Sequence, residues 1–436
     1  MIDPMTATAR QIANLVNTGK LHPRQIIDSY LERIAAFEPA LKSFAWLDPD
    51  VSRAQADAAI AGPLAGIPIG VKDVFDTATM PTAYGSAVYT GFRPARDASA
   101  VHMALQAGGV VSGKTITTEF ACAAPGPTRN PFDRNRTPGG SSSGSAAGLA
   151  AGFFPLALGT QTSGSTVRPA SYCGVVGFKA SHGLIDRTGV KPLSGSLDIV
   201  GVMARDVRDC ALFASVLARR PEFAPTMETI PMPKIGLFIH DFADAPSAAS
   251  IEVLDRAAAI IGRVETVYAP HWWERLGEAQ ADIFAWEASA ALAPERDFHW
   301  NELQPRTHEF FVRHKGISFE RWRAGVTARD AALADLDRLF GDCDILITQA
   351  APGEAPVGLN TTGAPAYNIR WTLLGTPSLS IPAGLGLSGM PIGLQLVARP
   401  GDDAKLLAYA ALIEDILRDA DVPARPETLD FFHATL

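Results

Sequence analysis

Residues 136–165 read RTPGGSSSGSAAGLAAGFFPLALGTQTSGS, and the order of their parts carries most of the fold. An irregular, proline-punctuated approach through Arg136 and Pro138 reaches the serines Ser141, Ser142 and Ser143. Glycines then recur at Gly144, Gly148 and Gly152, with Ala146, Ala147, Ala150 and Ala151 between them. Glycine at every fourth position predicts a helix whose bare face lies against backbone, and serines at its start are good caps. The apolar run Pro155-Leu156-Ala157-Leu158 has the length of a buried strand, and it opens into the small-residue loop from Gly159 to Ser165. Helix, buried strand and glycine-containing loop in succession point to α/β layering.

Working outward, residues 6–37 carry two helical patterns. The first places Ile12, Leu15 and Val16 on one face and stops at Gly19. The second opens near Pro23 and carries Ile26, Ile27, Tyr30, Leu31 and Ile34. From about residue 64 to 210, short apolar runs alternate with Gly, Pro, Ser and Thr, which predicts a largely buried sheet. A proline-rich joint at 221–233 (Pro221, Pro225, Pro231, Pro233) reads as a long surface connection or a domain linker. Residues 274–341 read as helical, and Asp344 to Ile347 and Leu379 to Ile381 as buried strands. The 436 residues are 47% apolar and 19% charged, enough for one large α/β domain and unlike a disordered chain. Thirty-eight basic against 46 acidic side chains leave −8 with no basic block, which disfavours nucleic acid as partner. Four scattered cysteines, no leader-like apolar core and no apolar run of 18 residues predict a cytoplasmic protein without a membrane span.

Several motifs compete. Gly108 to Thr115 is a formal GxxxxGK[ST] match, but it follows a helical pattern and precedes a β-branched run. That is the reverse of a phosphate loop, so it reads as an ordinary helix-to-strand turn. Gly140-Ser141-Ser142-Ser143-Gly144 is a formal GxSxG, in which Ser142 would be an esterase nucleophile. That reading needs a strand immediately before it, and 129–138 is irregular. The loop Gly159–Ser165 is either a tight turn or a nest of converging N–H groups. Lys72 stands alone in an apolar strand pattern (Gly66 to Asp73); it either snorkels to the surface or, buried, loses its charge and becomes a base. Nine histidines show no HExxH or cysteine pairing, so neither metal nor other cofactor is expected.

Together these stretches resemble the amidase signature family. The resemblance rests on Gly62 to Asp73, Arg136 to Ser145, Gly159 to Ser165, Arg168-Pro169-Ala170, Gly174 to Lys179, Gly375-Thr376-Pro377 and Pro391 to Gln395. It implies a three-layer α/β/α sandwich around a large, mixed, twisted sheet. It further implies a single domain over 1–436, with a catalytic core at about 60–210 and 342–400 and a variable, substrate-covering region at about 220–340. By the same resemblance Ser165 matches the nucleophile, Ser141 the serine after a cis peptide, and Lys72 the catalytic base. The N–H groups of Thr162, Ser163, Gly164 and Ser165 match the oxyanion hole.

Two departures stand out. Gln161 replaces the aspartate of many relatives, and Arg168 follows the nucleophile by three places instead of two. Both are similar to the malonamidase branch, which makes Arg168 and Gln161 candidate substrate contacts, Arg168 for a carboxylate. Against an acidic substrate stand the aromatic residues Trp272, Trp273, Trp286, Trp300, Trp322, Phe284, Phe298, Phe310, Phe311 and Phe319, which read as an apolar cover or as core. The expectation is an amidohydrolase acting through an acyl-serine on a small amide or carbamate, aryl or urethane-type, with water. Open alternatives are a malonamidase-like hydrolase, an amide-transfer subunit of a larger complex, and an esterase using Ser142. A homodimer is allowed.

Overall fold

The computed structural model describes residues 2–224, 230–240, 245–426 and 429. Among them eleven strands form one sheet: β1 (Phe44–Trp46), β2 (Pro68–Lys72), β3 (Val110–Thr115), β4 (Leu156–Gln161), β5 (Val176–Lys179), β6 (Ile199–Ala204), β7 (Ile235–Ile239), β8 (Val264–Tyr268), β9 (Ile345–Gln349), β10 (Ser378–Leu385) and β11 (Pro391–Val397). Their spatial order is β1-β3-β2-β4-β6-β5-β10-β11-β9-β7-β8. Toward each flank the pairing is parallel, with β2 between β3 and β4 and β7 between β8 and β9, and β1 adds to β3 as an antiparallel edge. The centre, from β4 through β6, β5, β10 and β11 to β9, is antiparallel.

The period of two along each strand divides the core between the two faces. Leu156 and Leu158 of β4, Val200 and Val202 of β6, and Leu394 and Leu396 of β11 pack on one side, against helices Ser99–Gln106, Val207–Ala218 and Asp403–Asp419. Ala157 and Met203 face the other side, against helices Pro23–Leu41 and Ser143–Ala150. Farther along that side, Leu346 and Val397 meet helices Trp272–Ala291 and Ile369–Leu373. Helices on both faces of a mixed sheet make three layers, as the family resemblance implied.

The glycine spacing has the expected cause at Gly144, whereas Gly148 meets a ring and Gly152 lies past the helix end with φ +74°. A Cβ on Gly144 would lie 2.1 Å from the Ser43 carbonyl oxygen, and one on Gly148 would lie 2.6 Å from the Phe154 ring. The GxxxxGK[ST] segment becomes strand β3, after helix Ser99–Gln106. Its Lys114 is buried and spent on Asp73 (3.1 Å) and the Phe75 carbonyl (2.9 Å). The proline-rich joint leads through a 3-10 turn at Pro221–Phe223 into β7, which joins the same sheet; Pro225 lies outside the described residues. Strands β7 and β8 and helix Ala248–Ile261 belong to the sheet and its flanking layer. The helical cover is therefore narrower than 220–340. It consists of Trp272–Ala291, Ala293–Phe298, Pro305–Arg313, Phe319–Ala334 and Leu336–Phe340.

Candidate active site

Parallel pairing of β2 with β4, with Val71 opposite Leu158, brings Lys72 beside the end of β4. Lys72 is wholly buried, and its Nζ lies 2.7 Å from Ser141 Oγ and 2.7 Å from Thr160 Oγ1. Burial holds its amine well below the ordinary lysine value, and the Asp198 charge opposes that only in part. An ammonium stripped of water is costly, so burial shifts the balance toward the neutral amine, whose lone pair can take a proton. Thr160 had no assigned role in the sequence, although it stands inside the quoted loop.

Ser141 follows a cis peptide with Gly140, and its carbonyl accepts from Thr118 N–H (3.2 Å). The next residue ties the two serine segments together, with Ser142 N–H donating to the Ser165 carbonyl at 3.4 Å. Ser142 itself is fully buried at the start of helix Ser143–Ala150. Its hydroxyl accepts from Thr160 N–H and donates to the Thr160 carbonyl, both at 3.3 Å. A hydroxyl used in both directions against β4, an interior strand, is a structural pin. The esterase-elbow alternative thus loses its nucleophile.

Ser165 opens the turn after β4 and is 8% exposed. Among the described residues, none of the backbone N–H groups of Thr162, Ser163, Gly164 and Ser165 donates to a protein acceptor. Four adjacent donors left free beside a serine form a concavity suited to a negative oxygen. The loop is held from behind. Gln161 accepts from Thr166 N–H (2.9 Å) and Val167 N–H (3.0 Å) and donates to Thr372 Oγ1 (3.0 Å), which in turn donates to the Ser163 carbonyl (2.7 Å). Gln161 is 1% exposed and its amide is spent within the protein. In this arrangement Gln161 closes the loop. It does so partly by donating an N–H, which an ionised aspartate could not do. At Gly164 a Cβ would lie 2.5 Å from Asn368 Oδ1, so the position requires glycine.

Arg168 lies on the short helix Val167–Tyr172, 4% exposed, with Nη2 donating to the Gly140 carbonyl (2.6 Å) and Thr362 Oγ1 (3.2 Å). Its Nε and Nη1 are enclosed and lack a partner, and burial lowers the guanidinium to about 10. The contact with Gly140 places Arg168 behind the Gly140–Ser141 peptide.

Two groups that the sequence did not single out complete the site. Asp198 accepts from Thr162 Oγ1 (2.6 Å) and from the N–H groups of Leu193 and Ser194 (both 2.8 Å). Gln280, from helix Trp272–Ala291, donates to Ser163 Oγ (3.0 Å) and the Thr162 carbonyl (3.3 Å). Neither has a local sequence signal, since each meets the loop only through the fold. No group of three or more histidine, cysteine or carboxylate side chains that could hold a metal occurs among the described residues.

The Amidase family model matches residues 25–407. The A-subunit of the glutamyl-tRNA(Gln) amidotransferase of Chloroflexus aggregans is 32% identical over 449 residues, covering 89% of this chain and 92% of its own. Among solved structures, a chain from a vestigial protein complex linked to the origins of an s-triazine catabolic enzyme superposes with a TM-score of 0.86 at 28% identity. That match covers 97% of this chain and all (100%) of the other. The peptide amidase of Stenotrophomonas maltophilia superposes with a TM-score of 0.81 at 28% identity, covering 98% and 99%.

Proposed function

The chain belongs to the amidase signature family, hydrolases of non-peptide C–N bonds, a premise from which we propose that it cleaves a small neutral amide or carbamate through an acyl intermediate on Ser165. The observation that carries this reading is the 2.7 Å contact between the buried Lys72 amine and Ser141 Oγ. A serine hydroxyl attacks only as its proton leaves. In the proposed sequence Ser141 takes the Ser165 proton while passing its own to neutral Lys72, and Ser165 Oγ bonds to the substrate carbonyl carbon. The resulting oxyanion is met by the free N–H groups of residues 162–165. Ser141 then protonates the departing nitrogen, recovering its proton from Lys72, and the C–N bond breaks. Water enters by the same relay in reverse and releases the acid.

The choice of a neutral substrate rests on Arg168 and on the cover. Arg168 Nη2 is already spent on the Gly140 carbonyl and Thr362, and Nε and Nη1 are enclosed, which disfavours the malonamidase-like alternative. Phe284 stands one helical turn from Gln280 and packs on Phe310 at 5.4 Å, in a cluster with Tyr84, Phe120 and Leu193. Apolar walls a turn away from the nucleophile loop suit an aryl or other apolar group. The test is a panel of acyl anilides, aryl carbamates and malonamate, with fluorophosphonate labelling mapped by mass spectrometry. Labelling at Ser165, its loss with at least ~10³-fold of the rate in Ser165→Ala, and its retention in Ser142→Ala are the expected results. Turnover of malonamate alone would sink the substrate choice, and labelling at Ser142 would sink the mechanism.

A further inference from the structure

Antiparallel pairing of β4 with β6 runs to Gln161 opposite Ile199, so the same register continued sets Thr162 across from Asp198. Cross-strand neighbours are close enough for their side chains to bond, and Thr162 Oγ1 lies 2.6 Å from Asp198 Oδ1. An ionised carboxylate only accepts, so the threonine hydroxyl is the donor. Asp198 Oδ2 accepts from the Leu193 and Ser194 N–H groups, both at 2.8 Å. Its own N–H donates to the Ser194 carbonyl (2.9 Å), and its carbonyl accepts from Arg187 Nη1 (3.0 Å). With all its polar atoms in use, this carboxylate is a fixed charge. The Thr162 carbonyl is held in turn by Gln280 (3.3 Å), so the Ser163 N–H of the same peptide plane points the opposite way. Gln161, which closes the loop from behind, is neutral; among the described residues Asp198 is the carboxylate bonded to the loop.

The same charge reaches the base. Lys72 touches Thr160, two residues before Thr162, and the charge of Asp198 opposes the loss of the Lys72 proton. Arg187 also faces Asp198, but it bonds the backbone carbonyl and leaves the carboxylate oxygens to Thr162 and the two N–H groups. We propose that Asp198 is a positioning residue whose carboxylate clamps the Thr162 end of the oxyanion loop and stands as fixed counter-charge to the ammonium that Lys72 becomes. The inference rests on the acyl-serine reading above and deepens it. When Ser141 takes the Ser165 proton and passes its own to Lys72, a cation arises inside the protein with no water to solvate it. A carboxylate already in place lowers that cost without reorganising at the moment of reaction.

The experiment follows kcat and KM for an acyl p-nitroanilide across a pH series, with exhaustive fluorophosphonate labelling of Ser165 to count intact sites. Asp198→Asn keeps the shape and removes the charge. The Lys72 ammonium is then harder to form, so the rising limb of the profile should move to lower pH. On the plateau kcat should fall roughly a hundredfold, with KM little changed. Thr162→Val keeps the charge and removes the clamp. It should lower kcat by a smaller factor and leave the limb in place, with Thr162→Ser restoring the rate. A merely structural lesion would reduce the labelled fraction without moving the limb. An unmoved limb in labelled Asp198→Asn protein therefore overturns this inference and leaves the amidase reading standing. Should Asp198→Asn not fold, as read by circular dichroism, the threonine variants decide: a wild-type kcat in Thr162→Val overturns the proposal. Disappearance of the limb in Asp198→Asn would make Asp198 the titrating base and overturn the Lys72 mechanism as well. A wild-type chain that is not labelled at Ser165 overturns the acyl-serine reading on which both rest.

Discussion

In the proposed mechanism the chemistry turns on the lysine at the end of β2, and its burial has two opposite consequences. An unfolded lysine titrates near 10.4, whereas in the fold desolvation holds Lys72 well below that. Between the two values the unfolded chain binds a proton that the folded chain refuses, so stability rises with pH across that window and a cost remains at lower pH. The rate should rise with pH through the lowered value, because only the neutral amine can act as the base. Lys72→Met should therefore abolish that limb of the pH–rate profile and nearly all turnover. It should also raise Tm at neutral pH by roughly a few degrees, as read by calorimetry beside a pH series of kcat/KM. A mutant that is both inactive and less stable would show that the folded lysine carries its charge. That Lys72, Ser141 and Ser165 belong to one site was legible in the sequence because each lies inside its own motif. Asp198 and Gln280 were not, because they meet Thr162 and Ser163 only after the chain has crossed the sheet.

Among the elements, the helical cover is fastened to the core by two buried carboxylates. Glu295, in helix Ala293–Phe298, accepts from Tyr89 Oη and pairs with Lys191. The Lys191 ammonium also lies over the rings of Tyr89 (5.3 Å), Tyr84 (5.6 Å) and Phe120 (5.8 Å). Glu119 accepts from Ser86 Oγ (2.7 Å), from Gln304 N–H (3.0 Å) and from Thr307 Oγ1. Burial pushes the Glu295 carboxyl up, but the bonds from Lys191 and Tyr89 outweigh it and hold the group below the usual carboxylate value. The stability it supplies is thus present above the unfolded carboxyl value of about 4.3 and is lost as pH falls through the folded one. Glu295→Ala leaves Lys191 without its counter-charge and should cost about 2–3 kcal/mol. Faster amide hydrogen exchange across residues 293–313 should accompany the fall in Tm, and Glu295→Gln should lose less. Exchange unchanged in that span would mean that the clasp is not what holds the cover. This is also where sequence reading was coarsest. Five tryptophans between 272 and 322 looked like one aromatic set, yet Trp273 sits in the core against Trp371 (4.5 Å) and Phe238 (4.9 Å), while Trp300 stacks on His308 (4.2 Å) near the surface. Composition counts rings; only the packing decides which of them reach the site.

At the scale of the whole molecule, the sheet decides whether the chain can act alone. Lys72 comes from β2, the nucleophile loop from β4, its neighbour, and Ser141 from the segment leading into the helix packed on both. Gln161 and Thr372 then lock the loop, and Gln280 descends on it from the cover. Every group invoked in the mechanism, including the free N–H groups, is supplied by this chain, on elements stiffened by the surrounding sheet; that is the preorganisation a catalytic constellation needs. The relative from Chloroflexus aggregans is named as one component of an amidotransferase, so the competing reading is a chain that works only with partner proteins. A net charge of −8 without a basic block offers an RNA partner little electrostatic attraction. The purified chain is therefore expected to elute as a monomer or homodimer by light scattering. Amide-hydrolysing activity should coincide with that peak and should not rise on addition of candidate partner proteins. If every fraction is inactive on the whole substrate panel, yet Ser165 is still labelled by fluorophosphonate, the catalytic set is assembled but its substrate must come from elsewhere, and the stand-alone hydrolase gives way to the transfer subunit.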